Sequence, residues 1–406
     1  MEGIIFPRLK AAFDPNRKSD TKYGGAVVLK RMWDYVNCDG LILSAGIQKR
    51  SGIPANSLAF NYVLKPLMDA GSISRTNRRT RRDQLLNGLI PGHDQCTLNR
   101  FINGDYNWNG LNDLRILELQ RRRRTRALED GLIVLDDVVI RKFGEKMENI
   151  AYVWDPVAKK TVLGYNPVVL LYTDGQKSSP LNFAFKTKEN DKITLATRLI
   201  ERLKELKVRA KHVVFDTWYF ALKLITALRD LSLFWVTKSK KNRIFVLNGA
   251  EMHAEEMIQS GIKETVAQLP GYGLVKVVVA KINEKKRLLV TSDLEMRGRR
   301  VVRVYRDRFK IDNPFFRDGK QEMGLTDFHT RKFKALIAHT VMCFLSHTLI
   351  SLIKLFDRRL FDKTTGWMKE NLFKVVAGVK AVREGIRVTF GKGLKFISAL
   401  SHTIPS

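Results

Sequence analysis

The middle of the chain alternates apolar runs of strand length with helical stretches, and this succession constrains the fold more than any other feature. Five strand-like runs and two helical stretches follow one another as strand, strand, strand, helix, strand, helix, strand, at 131–140, 167–175, 181–186, 192–206, 212–219, 220–231 and 233–238. Short turns favour antiparallel neighbours, whereas helical crossovers favour parallel ones. The pattern therefore predicts an α/β fold with one mixed sheet and flanking helices.

Two of these strands carry aspartates where their apolar runs end. The run LIVLDDVVI contains the pair Asp136 and Asp137, and HVVFD ends in Asp216. Carboxylate oxygens are the ligands that Mg²⁺ prefers, and the ion commonly shares them with phosphate oxygens. The sequence therefore predicts a metal site where these strands end.

The charge of the chain points to a polyanionic partner. There are 72 Lys and Arg against 41 Asp and Glu, for a formal net charge of +31 and a sequence pI of about 10.1. Nucleic acid is the first candidate, because neutralising phosphates releases counterions, and a membrane surface is the second. A hydrophobic content of 44% excludes a disordered basic tail, and 406 residues predict two to three domains.

Several features bear on the compartment of the protein. Cys38, Cys96 and Cys343 are widely spaced and form no CxxC pair, which supports neither a zinc knuckle nor a disulfide framework. The N-terminus shows no signal pattern. The apolar stretch 335–353 could be a membrane span, but its internal polar residues favour a buried core helix. We expect a cytoplasmic, nucleoid-associated protein with no membrane partner.

The N-terminal region suggests a DNA-binding element. In 47–73 a short helix ends near Gly52 and Pro54 starts a second helix, which the basic segment 72–82 follows. Two interpretations stay open: a winged helix whose wing is the basic segment, and a helical hairpin followed by a solvated basic loop. The candidate DNA-binding residues are Asn56, Ser57, Asn61 and Lys65 on the second helix, and Arg78, Arg79, Arg81 and Arg82 in the basic segment.

A third group of chemically active residues lies much further along. Strand-like runs at 243–247, 273–280, 287–291 and 300–304 indicate a β-rich insertion. The stretch YRDRFKIDNPFFRDGKQEMGL at 305–325 then combines a Tyr, basic residues, carboxylates and an aromatic pair, and it predicts the start of a helix.

Four stretches in this order, LIVLDDVVI, HVVFDTWYF, the β insertion and YRDRFKIDNPFFRDGKQEMGL, resemble the insertion-sequence DDE transposases that carry a Tyr-Arg-Glu-Lys signature. The resemblance covers roughly 98–352. It implies an RNase H-like catalytic core that uses two Mg²⁺ or Mn²⁺ ions. It also implies double-stranded DNA as the partner, at element ends and target, and a homodimer in the synaptic complex.

The family's functional residues carry over by motif position. The first and second catalytic aspartates fall on Asp137 and Asp216, which leaves Asp136 on the opposite face of its strand. The signature Tyr, Arg and Lys fall on Tyr305, Arg308 and Lys320, which the resemblance assigns to DNA phosphate contacts. The third catalytic carboxylate, a Glu in the family, falls on Asp312, so the implied metal ligands are Asp137, Asp216 and Asp312.

Asp312 is where the chain departs from the family. Its side chain is one methylene shorter than Glu, and it precedes Lys320 by eight residues rather than seven. Eight residues turn a helix about 80° past a whole number of turns. Pro314 suits the first turn of a helix, so the alternative is that Asp312 is a helix cap. Asp318 and Glu322 would then be the fallback ligands.

The sequence thus predicts a DNA transposase that binds element ends and catalyses metal-dependent strand cleavage and transfer. Two alternatives stay open: a DNA-binding protein with a transposase fold and an incompetent site, and a non-transposing nuclease of the same fold. The predicted regions are a helical DNA-binding region at 1–130, the core at 131–238, the β-rich insertion at 239–304, the last acidic helix and core completion at 305–360, and a C-terminal helical region at 361–406.

Overall fold

The computed structural model describes residues 4–7, 19–382, 385–391 and 395–404. Within these ranges, it describes the side chains except at 4–7, 19, 310–314, 381, 395, 398 and 401. The chain divides into two compact units, of which the first comprises Met1–Thr125, Lys146–Glu148 and Arg317–Ser406, and the second comprises Arg126–Glu145 and Asn149–Phe316. The two ends of the chain share one unit, whereas the predicted division separates 1–130 from the regions after 305.

The helices are, in chain order, α1 Ala26–Tyr35, α2 Cys38–Ser44, α3 Ala55–Leu67, α4 Ile73–Arg82, α5 Gln84–Leu89, α6 Gln95–Ile102, α7 Trp108–Arg121, α8 Lys192–Glu205, α9 Leu222–Asp230, α10 Ala254–Gln259, α11 Gly298–Gln321, α12 Phe333–Ile353, α13 Thr365–Met368 and α14 Lys395–Thr403. Short 3₁₀ turns occur at Thr217–Tyr219 and Arg358–Leu360, and a π-helical turn at Lys369–Phe373.

The strands are β1 Ile4–Pro7, β2 Ser19–Thr21, β3 Leu132–Asp137, β4 Ile140–Arg141, β5 Ala151–Asp155, β6 Lys160–Tyr165, β7 Pro167–Thr173, β8 Ser178–Phe185, β9 His212–Phe215, β10 Phe234–Lys238, β11 Ile244–Leu247, β12 Ala250–His253, β13 Glu264–Leu269, β14 Gly273–Ile282, β15 Lys285–Thr291, β16 Ala377–Val382 and β17 Gly385–Phe390.

A long mixed sheet organises the second unit. Its strand order is β12-β11-β13-β14-β15-β10-β9-β3-β7-β8. Strand β3 pairs antiparallel with β7 and parallel with β9, and β9 pairs parallel with β10. The predicted succession of strands and helices, now β3, β7, β8, α8, β9, α9 and β10, is confirmed. The predicted β-rich insertion continues the same sheet, because β15 pairs antiparallel with β10.

The elements of this sheet follow from their sequences. All seven residues of β7 are buried, which matches its continuous apolar run. Helix α8 begins where the Asp191 carboxylate accepts a hydrogen bond from the Thr194 amide at 2.9 Å, and it buries Leu195, Leu199 and Leu203 on one side. A three-stranded sheet of β4, β6 and β5 was not predicted, although it lies between β3 and β7 in the chain.

The predicted strand at 300–304 is wrong, because these residues form the first turns of α11. Val301, Val304, Tyr305 and Arg308 are buried, while Arg303 on the other side is exposed. This spacing of three and four residues has the helical period, not the alternation of a strand.

Helix α12 forms the centre of the first unit. It packs against α1, α3 and α7. The Tyr62 hydroxyl lies 2.9 Å from His339 Nδ1, and the Ser346 hydroxyl donates to the Val63 carbonyl at 3.0 Å. Among the described residues, α12 alone is long and apolar enough to cross a membrane, but 89% of its most apolar window is buried. The burial agrees with the core-helix interpretation.

Helix α3, the predicted recognition helix, is buried because it packs against α12. Asn61 and Lys65 are only 0% and 2% exposed. The Asn61 carbonyl oxygen accepts from the Thr80 hydroxyl at 2.9 Å, its amide nitrogen lies 2.8 Å from His93 Nε2, and Lys65 donates to the Asp327 carbonyl. The prediction that Asn61 and Lys65 face outward is therefore wrong, since their polar groups bind protein partners.

The basic segment is a helix, so the predicted wing and the alternative solvated loop are both wrong. Helix α4 begins at Ser72, whose hydroxyl accepts a hydrogen bond from the Arg75 amide at 3.2 Å. Thr76 and Thr80 are buried on one side. The other positions are rich in arginine, a good helix former, with Arg78, Arg81 and Arg82 exposed and Arg79 partly exposed.

The C-terminal region is not wholly helical as predicted, because β16 and β17 join β1 and β2 in a sheet of order β1-β17-β16-β2. The start of α1 lies close to the π-helical turn of the same unit. A Cβ atom on Gly25 would lie 1.9 Å from the Leu372 carbonyl oxygen, so this close approach requires glycine.

Candidate active site

Asp136 and Asp216 lie side by side on one face of the sheet. In the parallel pairing of β3 with β9, Leu135 is opposite Phe215, so the next residues in register are Asp136 and Asp216. Asp216 keeps an extended backbone, with φ −80° and ψ 162°. Opposed residues of neighbouring strands point to the same face, so both carboxylates project from one side.

One guanidinium group lies between these two carboxylates. Arg308 extends from α11, with Nη1 3.1 Å from Asp136 Oδ2 and Nη2 4.0 Å from Asp216 Oδ1. Arg308 is only 4% exposed. A buried guanidinium that contacts two carboxylates offsets the repulsion between them.

Tyr305 lies one helical turn before Arg308 and is fully buried. Burial raises the pKa of the Tyr305 phenol well above its usual value, the adjacent Arg308 opposes this shift, and Asp216 adds to it. The phenol therefore stays neutral at physiological pH. Its burial and that of Arg308 place both residues beneath the carboxylates, whereas the sequence predicts that they contact DNA phosphates.

A second cation belongs to the neighbouring strand. Val236 of β10 is opposite Val214 of β9, which brings Lys238 level with Asp216. Lys238 Nζ lies 3.7 Å from Asp216 Oδ1. The ends of β3, β9 and β10 therefore carry Asp136, Asp216 and Lys238 in a row.

Asp137 has a different environment. Its Oδ2 accepts hydrogen bonds from Lys192 Nζ at 2.7 Å and from Asn166 Nδ2 at 2.8 Å, and its Oδ1 accepts from the Tyr219 hydroxyl at 2.9 Å. The prediction that Asp137 faces Asp216 while Asp136 points away is wrong. The strand register puts Asp136 beside Asp216, and alternation turns Asp137 to the opposite face.

Position 312 lies within α11, fourteen residues after its first residue. The alternative that Asp312 caps a helix is therefore wrong, since the helix begins at Gly298 and continues through Pro314 to Gln321. Steps of three and four residues separate positions 305, 308 and 312, which keeps these positions on one side of a helix. The side chain of Asp312 lies outside the described residues.

The remaining predicted residues of this region belong to the first unit. Lys320 lies in the last turn of α11. Of the fallback ligands, Asp318 is near Arg317, at 3.5 Å, and Glu322 lies 3.3 Å from Lys369 Nζ. Glu322 is therefore part of an ion pair within its own unit.

Among the described residues, no three His, Cys, Asp or Glu side chains form a metal-binding group. The side chains of the site therefore fit a divalent cation only in part. Asp136 and Asp216 provide hard oxygen donors of the kind that Mg²⁺ binds. The Arg308 guanidinium is a cation that both already share. Two carboxylates that attract a common cation are compatible with a metal site.

Lys238 and the hydrogen-bond partners of Asp137 are functional residues that the sequence prediction does not include. The predicted faces of Asp136 and Asp137 are the reverse of the observed ones. A signal for the correct faces exists: LIVL and HVVF are runs of equal length, each followed directly by an aspartate. Aligning the two runs in parallel pairs Asp136, not Asp137, with Asp216.

The site thus combines paired carboxylates at the ends of adjacent parallel strands with cations beside them, in an α/β domain built on one mixed sheet. The model of the Transposase DDE domain family matches residues 128–349, which is more than half of the chain. The chain therefore belongs to the DDE transposase family. No protein of curated function matches its sequence.

Among solved structures, the chain is similar to the piggyBac transposase synaptic complex with hairpin DNA, at 12% identity and a TM-score of 0.45, over 88% of this chain and 82% of that chain. It is also similar to the NurA nuclease from Sulfolobus solfataricus, at 10% identity and a TM-score of 0.27, over 58% of this chain and 85% of that chain. A third similarity is to the Drosophila P element transposase strand transfer complex, at 11% identity and a TM-score of 0.25, over 82% and 85%. TM-scores this low do not support a functional conclusion.

Proposed function

We propose that this protein is an active DNA transposase, which binds the ends of its element and catalyses metal-dependent strand cleavage and transfer. The observation that carries the proposal is the pairing of Asp136 and Asp216 across β3 and β9, with Arg308 between them, in a chain of the DDE transposase family. The insertion-sequence type and the Tyr-Arg-Glu-Lys signature belong to the same proposal.

The catalytic carboxylates in this proposal are Asp136, Asp216 and Asp312. Asp136 replaces Asp137 because the register brings Asp136, and not its neighbour, beside Asp216. These three residues would hold Mg²⁺ or Mn²⁺. When bound, two such ions activate the attacking hydroxyl and stabilise the leaving oxygen of a phosphoryl transfer.

The protein's own residues prepare this site. Arg308 keeps the two carboxylates together despite their like charge, and Lys238 adds positive charge beside Asp216. Tyr305 adds a buried, neutral phenol close to Asp216. Lys320 remains the signature residue that we assign to a DNA phosphate contact.

A cleavage assay tests the proposal. The substrate is duplex DNA from the regions that flank the coding sequence, incubated with the full chain in Mg²⁺ or Mn²⁺. We expect cleavage at the element ends and strand-transfer products with a second duplex. Cleavage without transfer products would instead support a nuclease, and specific binding without cleavage would support a DNA-binding protein with an incompetent site.

We further propose that α4 contacts DNA phosphates. Its exposed arginines lie on one short helix whose buried side faces the protein. Replacing Arg78, Arg81 and Arg82 with Gln should lower the slope of log binding constant against log salt concentration by about 1 for each phosphate that the variant no longer binds. A matched control replaces three exposed lysines of the sheet insertion, Lys281, Lys285 and Lys286, with Gln. Equal slopes for both variants would contradict this interface.

The alternative is a DNA-binding protein with a transposase fold and an incompetent site. It is favoured by the shorter Asp312 in place of Glu and by Pro314 inside α11. An Asp312→Glu variant separates the two cases. Cleavage that appears only in the variant would support incompetence of the natural chain, whereas cleavage by the natural chain excludes it.

A further inference from the structure

Asp137 is connected to the segment that carries Asp216. The Tyr219 hydroxyl donates to Asp137 Oδ1 at 2.9 Å, and Tyr219 ends the 3₁₀ turn that Asp216 begins. Tyr219 is 1% exposed, and its hydrogen bond to the partly exposed Asp137 carboxylate is partly buried. We call the sheet face that carries the Asp136 and Asp216 carboxylates the front face, and the face that carries Asp137 the back face. The hydrogen bond between Tyr219 and Asp137 connects the two front-face carboxylates through the back face. It links Asp136 through the next residue of its strand and Asp216 through the turn that follows it.

Other contacts hold both ends of this connection. Lys192, the first residue of α8, and Asn166, which precedes β7, both donate to Asp137 Oδ2. The amide nitrogen of Asn166 also lies 3.1 Å from the Val138 carbonyl oxygen. The Thr217 hydroxyl donates to the Lys238 carbonyl at 3.0 Å and so fixes the turn to β10.

The orientation of the Asp136 carboxylate depends on the same residue. The backbone amide of Asp137 donates to Asp136 Oδ1 at 2.8 Å. A shift of the Asp137 backbone would therefore rotate the carboxylate beside Asp216. A single residue on the back face thus influences the direction of one front-face carboxylate and the position of the other.

We propose that Asp137 is a positioning residue that acts through Tyr219 to fix the separation of the Asp136 and Asp216 carboxylates. This inference rests on the proposed function, since it concerns the geometry of that reaction's carboxylates. Hydrogen-bond partners that lie behind metal-binding carboxylates commonly change metal affinity or activity by about 10- to 100-fold when they are removed. Small misplacements of reacting groups have effects of the same order.

The main test is Tyr219→Phe, which removes the hydroxyl and keeps the ring and its packing. We expect the cleavage rate constant to fall about 10- to 100-fold, and the half-saturating Mn²⁺ concentration for metal binding, measured by calorimetry, to rise about 10-fold. The temperature of unfolding should change by about the same small amount as in the control variant, Tyr172→Phe.

Tyr172→Phe is the matched control. Tyr172 is also buried on this sheet, and its hydroxyl donates to Asp174 Oδ2 at 3.0 Å near the other end of β3. If loss of a buried hydroxyl mattered only through stability, both variants would lose cleavage and Mn²⁺ affinity to the same extent. We expect Tyr172→Phe to retain the cleavage rate and Mn²⁺ affinity of the natural chain.

Asp137→Asn is the second variant, and it covers the case in which Tyr219→Phe fails to fold. A positioning role leaves reduced but measurable cleavage, because Asn still offers an oxygen to Tyr219. The inference would be overturned, and the proposed function would stand, if Tyr219→Phe had the same cleavage rate and Mn²⁺ affinity as the natural chain. If Tyr219→Phe does not fold, the same result in Asp137→Asn would overturn it. Total loss of cleavage in Asp137→Asn, equal to that of Asp216→Asn, would overturn it in favour of Asp137 as a catalytic residue. No cleavage by the natural chain would overturn both.

Discussion

The two aspartates at the end of β3 are adjacent in the chain and chemically identical, yet they lie in opposite kinds of environment. Asp136 shares the Arg308 guanidinium with Asp216, which also lies near Lys238, so two like charges are held side by side between two cations. Asp137 instead accepts hydrogen bonds from three donors that belong to three different segments. Two carboxylates held side by side attract cations. A carboxylate whose hydrogen bonds are all made within the protein instead fixes the segments that donate to it.

The largest expected effect is the loss of cleavage when either front-face carboxylate is removed. Asp136→Asn and Asp216→Asn should each reduce the cleavage rate by about a thousandfold or more, because each loses a charge that stabilises the bound metal ions. Specific DNA binding should persist. Single-turnover cleavage of an end-containing duplex measures the first effect, and a binding titration measures the second. Asp136→Asn with the activity of the natural chain would return the catalytic role to Asp137.

Removing the shared cation should cost stability as well as activity. Arg308→Met removes a charged hydrogen-bond donor from two partly exposed carboxylates, which should lower the free energy of unfolding by about 1.5–3 kcal/mol. Arg303→Met, at an exposed position of the same helix, should change it by no more than about 0.5 kcal/mol. Urea unfolding of both variants measures the difference, and equal midpoints would show that Arg308 does not stabilise the pair.

Among the partners of Asp137, Lys192 should affect stability more than chemistry. Lys192→Met removes a charged donor from Asp137 and should lower the free energy of unfolding by about 1.5–3 kcal/mol. Tyr219 still binds Asp137 in this variant, so the cleavage rate should fall far less than in Asp136→Asn. A cleavage loss as large as that of Asp136→Asn, at unchanged stability, would mean that Lys192 takes part in the reaction.

The smallest effect is expected at Lys238. Its Nζ lies 3.7 Å from Asp216, and both side chains are partly exposed, so Lys238→Met should change the free energy of unfolding by less than about 1 kcal/mol. Thermal unfolding at low and high salt measures this change. A larger loss that high salt removes would show that the front face depends on Lys238 as well as on Arg308.

The succession of strands and helices could be predicted because it depends on local apolar periodicity, which the sequence displays directly. The face of each aspartate could not be predicted in the same way, because it depends on the register between β3 and β9, and a shift of one residue reverses it. The segment 300–304 was misassigned for a related reason. Val302 and Val304 have the spacing of a strand, and only the buried Tyr305 and Arg308 reveal the helical period.

The N-terminal prediction failed for a different physical reason. Asn61 and Lys65 are polar residues, which usually lie on a surface. Asn61 is bonded to Thr80 of α4 and to His93, and Lys65 to Asp327, which lies more than 260 residues later. No local pattern shows that a distant apolar helix will cover α3 and that Thr80, His93 and Asp327 will satisfy its polar side chains.

The position of α12 in the chain also sets the order in which the protein can be completed on the ribosome. All of the second unit, which ends at Phe316, is synthesised before α12 appears. At typical elongation rates of about 5–20 residues per second, α12 is completed roughly 10–60 seconds after α3 and α7 have been synthesised. A nascent or prematurely terminated chain that ends within the second unit therefore lacks the core of the first.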